Sequence, residues 1–138
     1  MTMARWLRAG LVFLTVTQLA TGGWQLIFPR SFFTSGPLPT NPWVAMLPPY
    51  NEHLMRDVGA LNLALAVVFV AATVAMERRL VLVALTANLT FTVAHFTFHA
   101  THLHGFDLGN AIGQTIALGF GVVLPVVLLV LAVRLPRR

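Results

Sequence analysis

Four long apolar runs, at residues 7–28, 54–76, 80–100 and 109–133, constrain this chain more than any motif in it. Each can cross a bilayer core of about 30 Å, which takes roughly 20 helical residues. In hydrocarbon a backbone must satisfy its own hydrogen bonds, so spans of this kind are expected to be helices. The expectation is an all-α fold: one integral membrane domain over residues 1–138, an antiparallel four-helix bundle with a long Pro-rich extracytoplasmic loop at 29–53. Composition agrees, with 57% of residues hydrophobic and only 9% charged, where a soluble domain carries about 25% charged residues. The first run exceeds the apolar region of a signal peptide, and the QLATGG stretch offers no clean small-x-small cleavage site, so it reads as a retained span.

All nine basic residues are arginine. Arg5 and Arg8 precede the first run, Arg78 and Arg79 separate the second from the third, and Arg134, Arg137 and Arg138 follow the fourth. Only Arg30 and Arg56 fall toward the opposite side. By the positive-inside rule this predicts cytoplasmic termini. The net charge of +5 is thus a topology signal; the arginines form no basic face with interleaved aromatics, so a nucleic-acid partner is not expected. With no cysteine, disulfides, thiolate metal sites and thiol nucleophiles are excluded.

The three connections differ in character. Glu77-Arg78-Arg79 is a minimal turn, and HLHGFDLG is short. The first connection, PRSFFTSGPLPTNPWVAMLPPYNE, holds Pro29, Pro37, Pro39, Pro42, Pro48 and Pro49 yet also Phe32, Phe33, Trp43, Met46 and Leu47. Proline cannot continue a helix, while the apolar residues do not suit a solvated linker. Asn41-Pro42 before WVAML has the form of an N-cap with proline at the first helical position, which predicts a short interfacial helix anchored by Trp43. Two readings stay open for the segment: a tethered surface loop, or a lid over the outer mouth.

Polar residues recur at helical spacing. Asn88, Thr92, His95, His99 and His102 follow steps of 4, 3, 4 and 3, which places them on one helix face. His104 falls off that stripe. Thr15, Gln18, Gly22 and Gln25 form a second stripe, and Asn110, Gln114, Ala117 and Gly121 a third. Such side chains are satisfied only by one another, so the stripes are expected to face inward. Counted at about 1.5 Å per residue from the arginines, Gln25, Asp57, His95, His99 and Gln114 all lie in the outer third. The inner half carries no ionisable step, which argues against a transport path. Gly105, Gly109 and Gly113, with Gly119 and Gly121, suggest close helix approach, and Pro125 is expected to kink or weaken the fourth span.

The second span opens with charges. Glu52 and Arg56 are four apart, as are His53 and Asp57, so each pair can meet on a helix surface. Asn51 as N-cap and Glu52 in the first turn also have a plain structural use. The candidate ligand-binding set is Glu52, His53, Arg56, Asp57, His95, His99 and Gln114, and the candidate metal set is His95, His99, His102 and Asp57. Imidazole with carboxylate suits Zn, Cu(II) or Fe, whereas the lack of Cys and of a Met cluster disfavours Cu(I). A haem held by His53 and a histidine of the third span is the lesser form of that reading, because the bundle is small. Alternatively, the outer half is a pocket for a small amphipathic molecule or lipid head group, walled by Phe91, Phe96, Phe98 and the loop. Proton shuffling by Asp57 with His95 or His99 is its enzymatic, isomerase-type version. A hydrolase is unsupported, since Ser31 and Ser35 are the only serines and no G-x-S-x-G is present. In the third reading the stripes only bind helices together, and the chain is an accessory subunit of a membrane protein or of a homo-oligomer. All three remain open.

The exit GGWQLIFP from an arginine-led first span, a short outer segment and an acidic patch opening the second span, PPYNEHLMRDVGALNLALA, resemble the DoxX-like and related small four-helix membrane proteins of actinobacterial type. That resemblance covers most of the chain and implies a plasma-membrane bundle, in a group of mostly unassigned activity. Some DoxX proteins are linked with redox or thiol metabolism; this chain has no cysteine with which to do thiol chemistry itself.

Overall fold

The computed structural model describes residues 3–136. Five helices account for the regular structure: α1 (Met3–Ile27), α2 (Pro29–Ser35), α3 (Glu52–Ala75), α4 (Arg78–Thr101) and α5 (Leu108–Ala132). No strand occurs among the described residues, only one isolated bridge between Leu38 and Asn41. Three helices, α3, α4 and α5, are long and apolar enough to cross a membrane. The first run behaves differently. It meets that criterion only with α2 added, and α2 is bent from α1 by 114°. The bend falls at Phe28, because proline at the next position disfavours helical backbone in the residue before it. The expected span 7–28 therefore ends as a helix turned sideways.

Local chemistry explains the other boundaries. The Asn51 side chain caps α3 by accepting from the Leu54 N–H at 3.0 Å, and Asp107 caps α5 by accepting from the Asn110 N–H at 3.0 Å. Such caps contribute about 1 kcal/mol each. The α3–α4 turn is made by Met76 in the left-handed region, φ 50° and ψ 26°. α5 continues through Pro125, which is fully buried.

Packing is uneven along the molecule. At the arginine end Leu7, Leu11, Leu14, Phe69, Ala72, Val81, Ala84, Leu85, Leu128 and Ala132, drawn from all four long helices, form one apolar cluster. Over their length α1 pairs most closely with α3, and α4 with α5. The tightest helix approach is at Gly22 and Gly59. A Cβ on Gly59 would lie 2.7 Å from the Leu26 nitrogen and 2.9 Å from the Gly22 carbonyl oxygen, and backbone cannot yield there. The glycines first suspected serve other ends. A Cβ on Gly105 would meet the Met46 carbonyl and one on Gly113 the Trp43 ring, while one on Gly121 would meet nothing within 4 Å.

The expected helix at residues 42–47 does not form. Residues 38–47 run through turns closed by hydrogen bonds such as Ala45 N–H to Pro42 C=O and Leu47 N–H to Val44 C=O. The short helix lies earlier, where Pro29 occupies its first position.

Candidate functional site at the loop end

The buried polar side chains are Thr15, Gln18, Gln25, Asn62, Asn88 and Gln114. The stripe of α1 turns inward, those of α4 and α5 do so at Asn88 and Gln114 while His102 and Ala117 are exposed, and partners meet across helices. Gln18 of α1 donates to Asn88 of α4 at 3.0 Å. Asn62 of α3 donates to Gln25 of α1 at 2.8 Å. His99 Nδ1 of α4 meets Gln114 Oε1 of α5 at 2.8 Å. Cross-helix bonds of this sort average about 0.6 kcal/mol in the measured membrane case, so three of them align the helices without dominating stability.

Two of the three pairs are incomplete. Asn88 and Gln114 are each 1% exposed, yet Asn88 Nδ2 and Gln114 Nε2 have no partner among the described residues. Turning either amide over exchanges which atom is orphaned and removes nothing. A buried polar atom left in this state costs about 1–3 kcal/mol. Beside Gln114, His99 packs 4.4 Å centroid to centroid from His95, and His95 stacks on Phe91 at 5.3 Å. His95 is half-buried and makes no side-chain hydrogen bond among the described residues. With Nδ1 protonated toward the Gln114 oxygen, His99 keeps an acceptor at Nε2. The place thus combines an unpaired amide donor, an imidazole acceptor and flat aromatic walls.

The charged residues of α3 do other work. Arg56 pairs with Glu52, Nη2 to Oε1 at 2.8 Å, and donates from Nη1 to the Leu26 carbonyl of α1. That carbonyl belongs to the last turn of α1, where a cation is favoured by the helix dipole. His53 Nε2 lies 3.0 Å from Asp57 Oδ2, with side chains 83% and 58% exposed. No hydrogen bond or ion pair among the described residues joins Glu52, His53, Arg56 or Asp57 to His95, His99 or Gln114.

The structure does not bring the candidate metal set together. No group of three or more His, Cys, Asp or Glu among the described residues is placed to hold a metal ion. Asp57 is taken up by His53 on an exposed face. His102 lies just past the end of α4, stacked on Phe98 at 4.1 Å, with Nδ1 2.8 Å from the Phe98 carbonyl. His95 and His99 share a face as the spacing indicated, but no carboxylate among the described residues reaches them.

The loop is fastened beside this site by Asn110, which the spacing had placed on the third stripe, and by Asp107, which it passed over. Asn110 Oδ1 accepts from both Asn41 Nδ2 and Trp43 Nε1, at 2.8 Å each. Asp107 orients that amide by accepting its Nδ2 and its backbone N–H. These bonds, the side-chain one foremost, hold the Asp107 carboxyl below the ordinary carboxylate range. Asn110 and Gln114 are one turn apart on α5, so the fastening sits one turn above the His99 contact. Asn62 was also missed, although it is the sole polar residue between Asp57 and Thr73.

Comparisons with family models, with curated proteins and with solved structures gave no match to this chain.

Proposed function

We propose that the chain is a four-span plasma-membrane protein with its arginine end and both termini in the cytoplasm, and that His95, His99 and Gln114 bind a small ligand or lipid head group from the outer side. Three apolar helices, a fourth completed by α2, and the distribution of arginine support the membrane reading. The likeness to DoxX-like small four-helix membrane proteins belongs to the same proposal.

Gln114 carries the binding reading. A side chain 1% exposed, with one polar atom spent on His99 and the other unpaired, is stabilised by anything that accepts its hydrogen bond. The matching ligand offers a neutral oxygen function, a carbonyl or hydroxyl, on a body flat or apolar enough to lie against His95 and Phe91. Glu52 and Arg56 are left with a structural duty at the end of α1. An isomerase-type reaction finds less support, because Asp57 is paired with His53.

Solvent extraction of the detergent-purified protein, followed by mass spectrometry, tests this. A stoichiometric small molecule or lipid should accompany the wild type and Asp57→Asn and be lost from Gln114→Leu and His99→Ala. A wild type carrying nothing, or a molecule retained equally by all four proteins, removes the site.

A further inference from the structure

The end of the molecule opposite the histidines carries a groove that the binding reading does not use. Ala4, Arg5 and Arg8 of α1, Met76 at the α3–α4 turn and Leu135 just past α5 line it. Its character is amphipathic. Met76 and Leu135 pack on the apolar cluster and form the floor, while Arg5 and Arg8 stand exposed three residues apart on one helix face. Met76 is the one non-glycine residue with positive φ among those described. Glycine adopts that backbone with less strain, and methionine there gives the turn an apolar wall that glycine would lack.

Neither guanidinium meets a carboxylate among the described residues; the two ion pairs of that set, His53–Asp57 and Arg56–Glu52, both lie at the loop end. Guanidinium groups bind phosphate oxygens through paired N–H donors, and a cytoplasmic leaflet rich in acidic lipids supplies phosphate at that depth. A free phosphate ion would satisfy the arginines and leave the apolar floor uncovered. A phospholipid satisfies both.

We infer that this groove seats an acidic phospholipid, its phosphate between Arg5 and Arg8 and the start of an acyl chain over Met76 and Leu135. This rests on the membrane-spanning reading and on the arginine end facing the cytoplasmic leaflet; it is independent of the histidine site.

Native mass spectrometry of the delipidated full chain, given phosphatidylglycerol or phosphatidylcholine, is the test. The comparison variants are Arg5→Gln with Arg8→Gln, and Arg78→Gln with Arg79→Gln, which removes equal charge from a turn outside the groove lining. The wild type should prefer one phosphatidylglycerol by about tenfold, the order of effect that one or two surface cations exert on acidic lipid. The first double variant should lose the preference and the second keep it. Equal loss in both would mean diffuse charge attraction and overturn the seat. Complete displacement of the lipid by millimolar inorganic phosphate would mark a soluble-anion site and overturn the lipid assignment. Flotation with liposomes separates the levels: a wild type that does not float sinks the membrane reading, whereas a floating wild type without lipid preference sinks only the groove.

Discussion

The two ends of this molecule are built on opposite rules. The arginine end is held by a cluster in which Leu7, Leu11, Phe69, Ala72, Val81, Ala84, Leu85 and Ala132 have no exposed surface, and the buried Thr15 at its edge spends its hydroxyl on the Leu11 carbonyl. The loop end buries the Gln114 amide and leaves its Nε2 unpaired, and Asn88, midway along α4, leaves a second amide nitrogen unpaired. An interior that served stability alone would place alanine or leucine where Gln114 stands. The difference assigns stability to one end and recognition to the other, joined by the close α1–α3 contact at Gly22 and Gly59.

That division can be broken from either side. Phe69→Ala should have the largest effect, about 3–5 kcal/mol lost for a fully buried aromatic, read as a lower unfolding midpoint in detergent. Gly59→Val comes next: its side chain would meet the backbone of Leu26 and Gly22, so α1 and α3 must separate, at about 1–3 kcal/mol. Asn110→Leu removes the acceptor of Asn41 and Trp43 and should free residues 41–47 to faster amide exchange while the arginine-end cluster keeps its protection. Equal change at both ends would erase the comparison.

Acid should act on that same fastening. The folded pKa of Asp107 lies below its ordinary value of 3.8, so its contribution is complete above that value and is lost as pH falls through the lowered one. The protection factors of the loop amides, with the intrinsic pH dependence of exchange divided out, should therefore be flat through neutral pH and fall only in strong acid, and Asp107→Asn should flatten the acid limb. The smallest effect is expected from Asp57→Asn, below about 0.5 kcal/mol, because the pair with His53 is exposed and screened.

The helices were legible because lipid-compatible helices announce themselves by length and apolarity, and the inward stripes because side chains four and three apart share a face. His99 meeting Gln114 and Gln18 meeting Asn88 join positions already on those stripes. Periodicity fixes a face but not a neighbour. It put Asp57 both four residues from His53 and at the depth of His95, without saying which of the two would hold the carboxylate. Loop structure followed the same limit: Asn41-Pro42 matched a helix start, but Asn41 and Trp43 are instead bound to Asn110, a partner 67–69 residues away that no local pattern reveals.

The most direct measurement is the stability gap between wild type and Gln114→Leu, taken once in native membranes and once after the protein is stripped of every extractable small molecule, with His53→Ala as a reference in both. If the buried amide at the loop end is completed by a bound molecule, the gap should be larger in membranes by at least about 1 kcal/mol, the worth of one buried hydrogen bond, while the reference gap stays constant. An identical gap under the two conditions would show that nothing occupies the place beside His99, and that the polar end is packing of another kind.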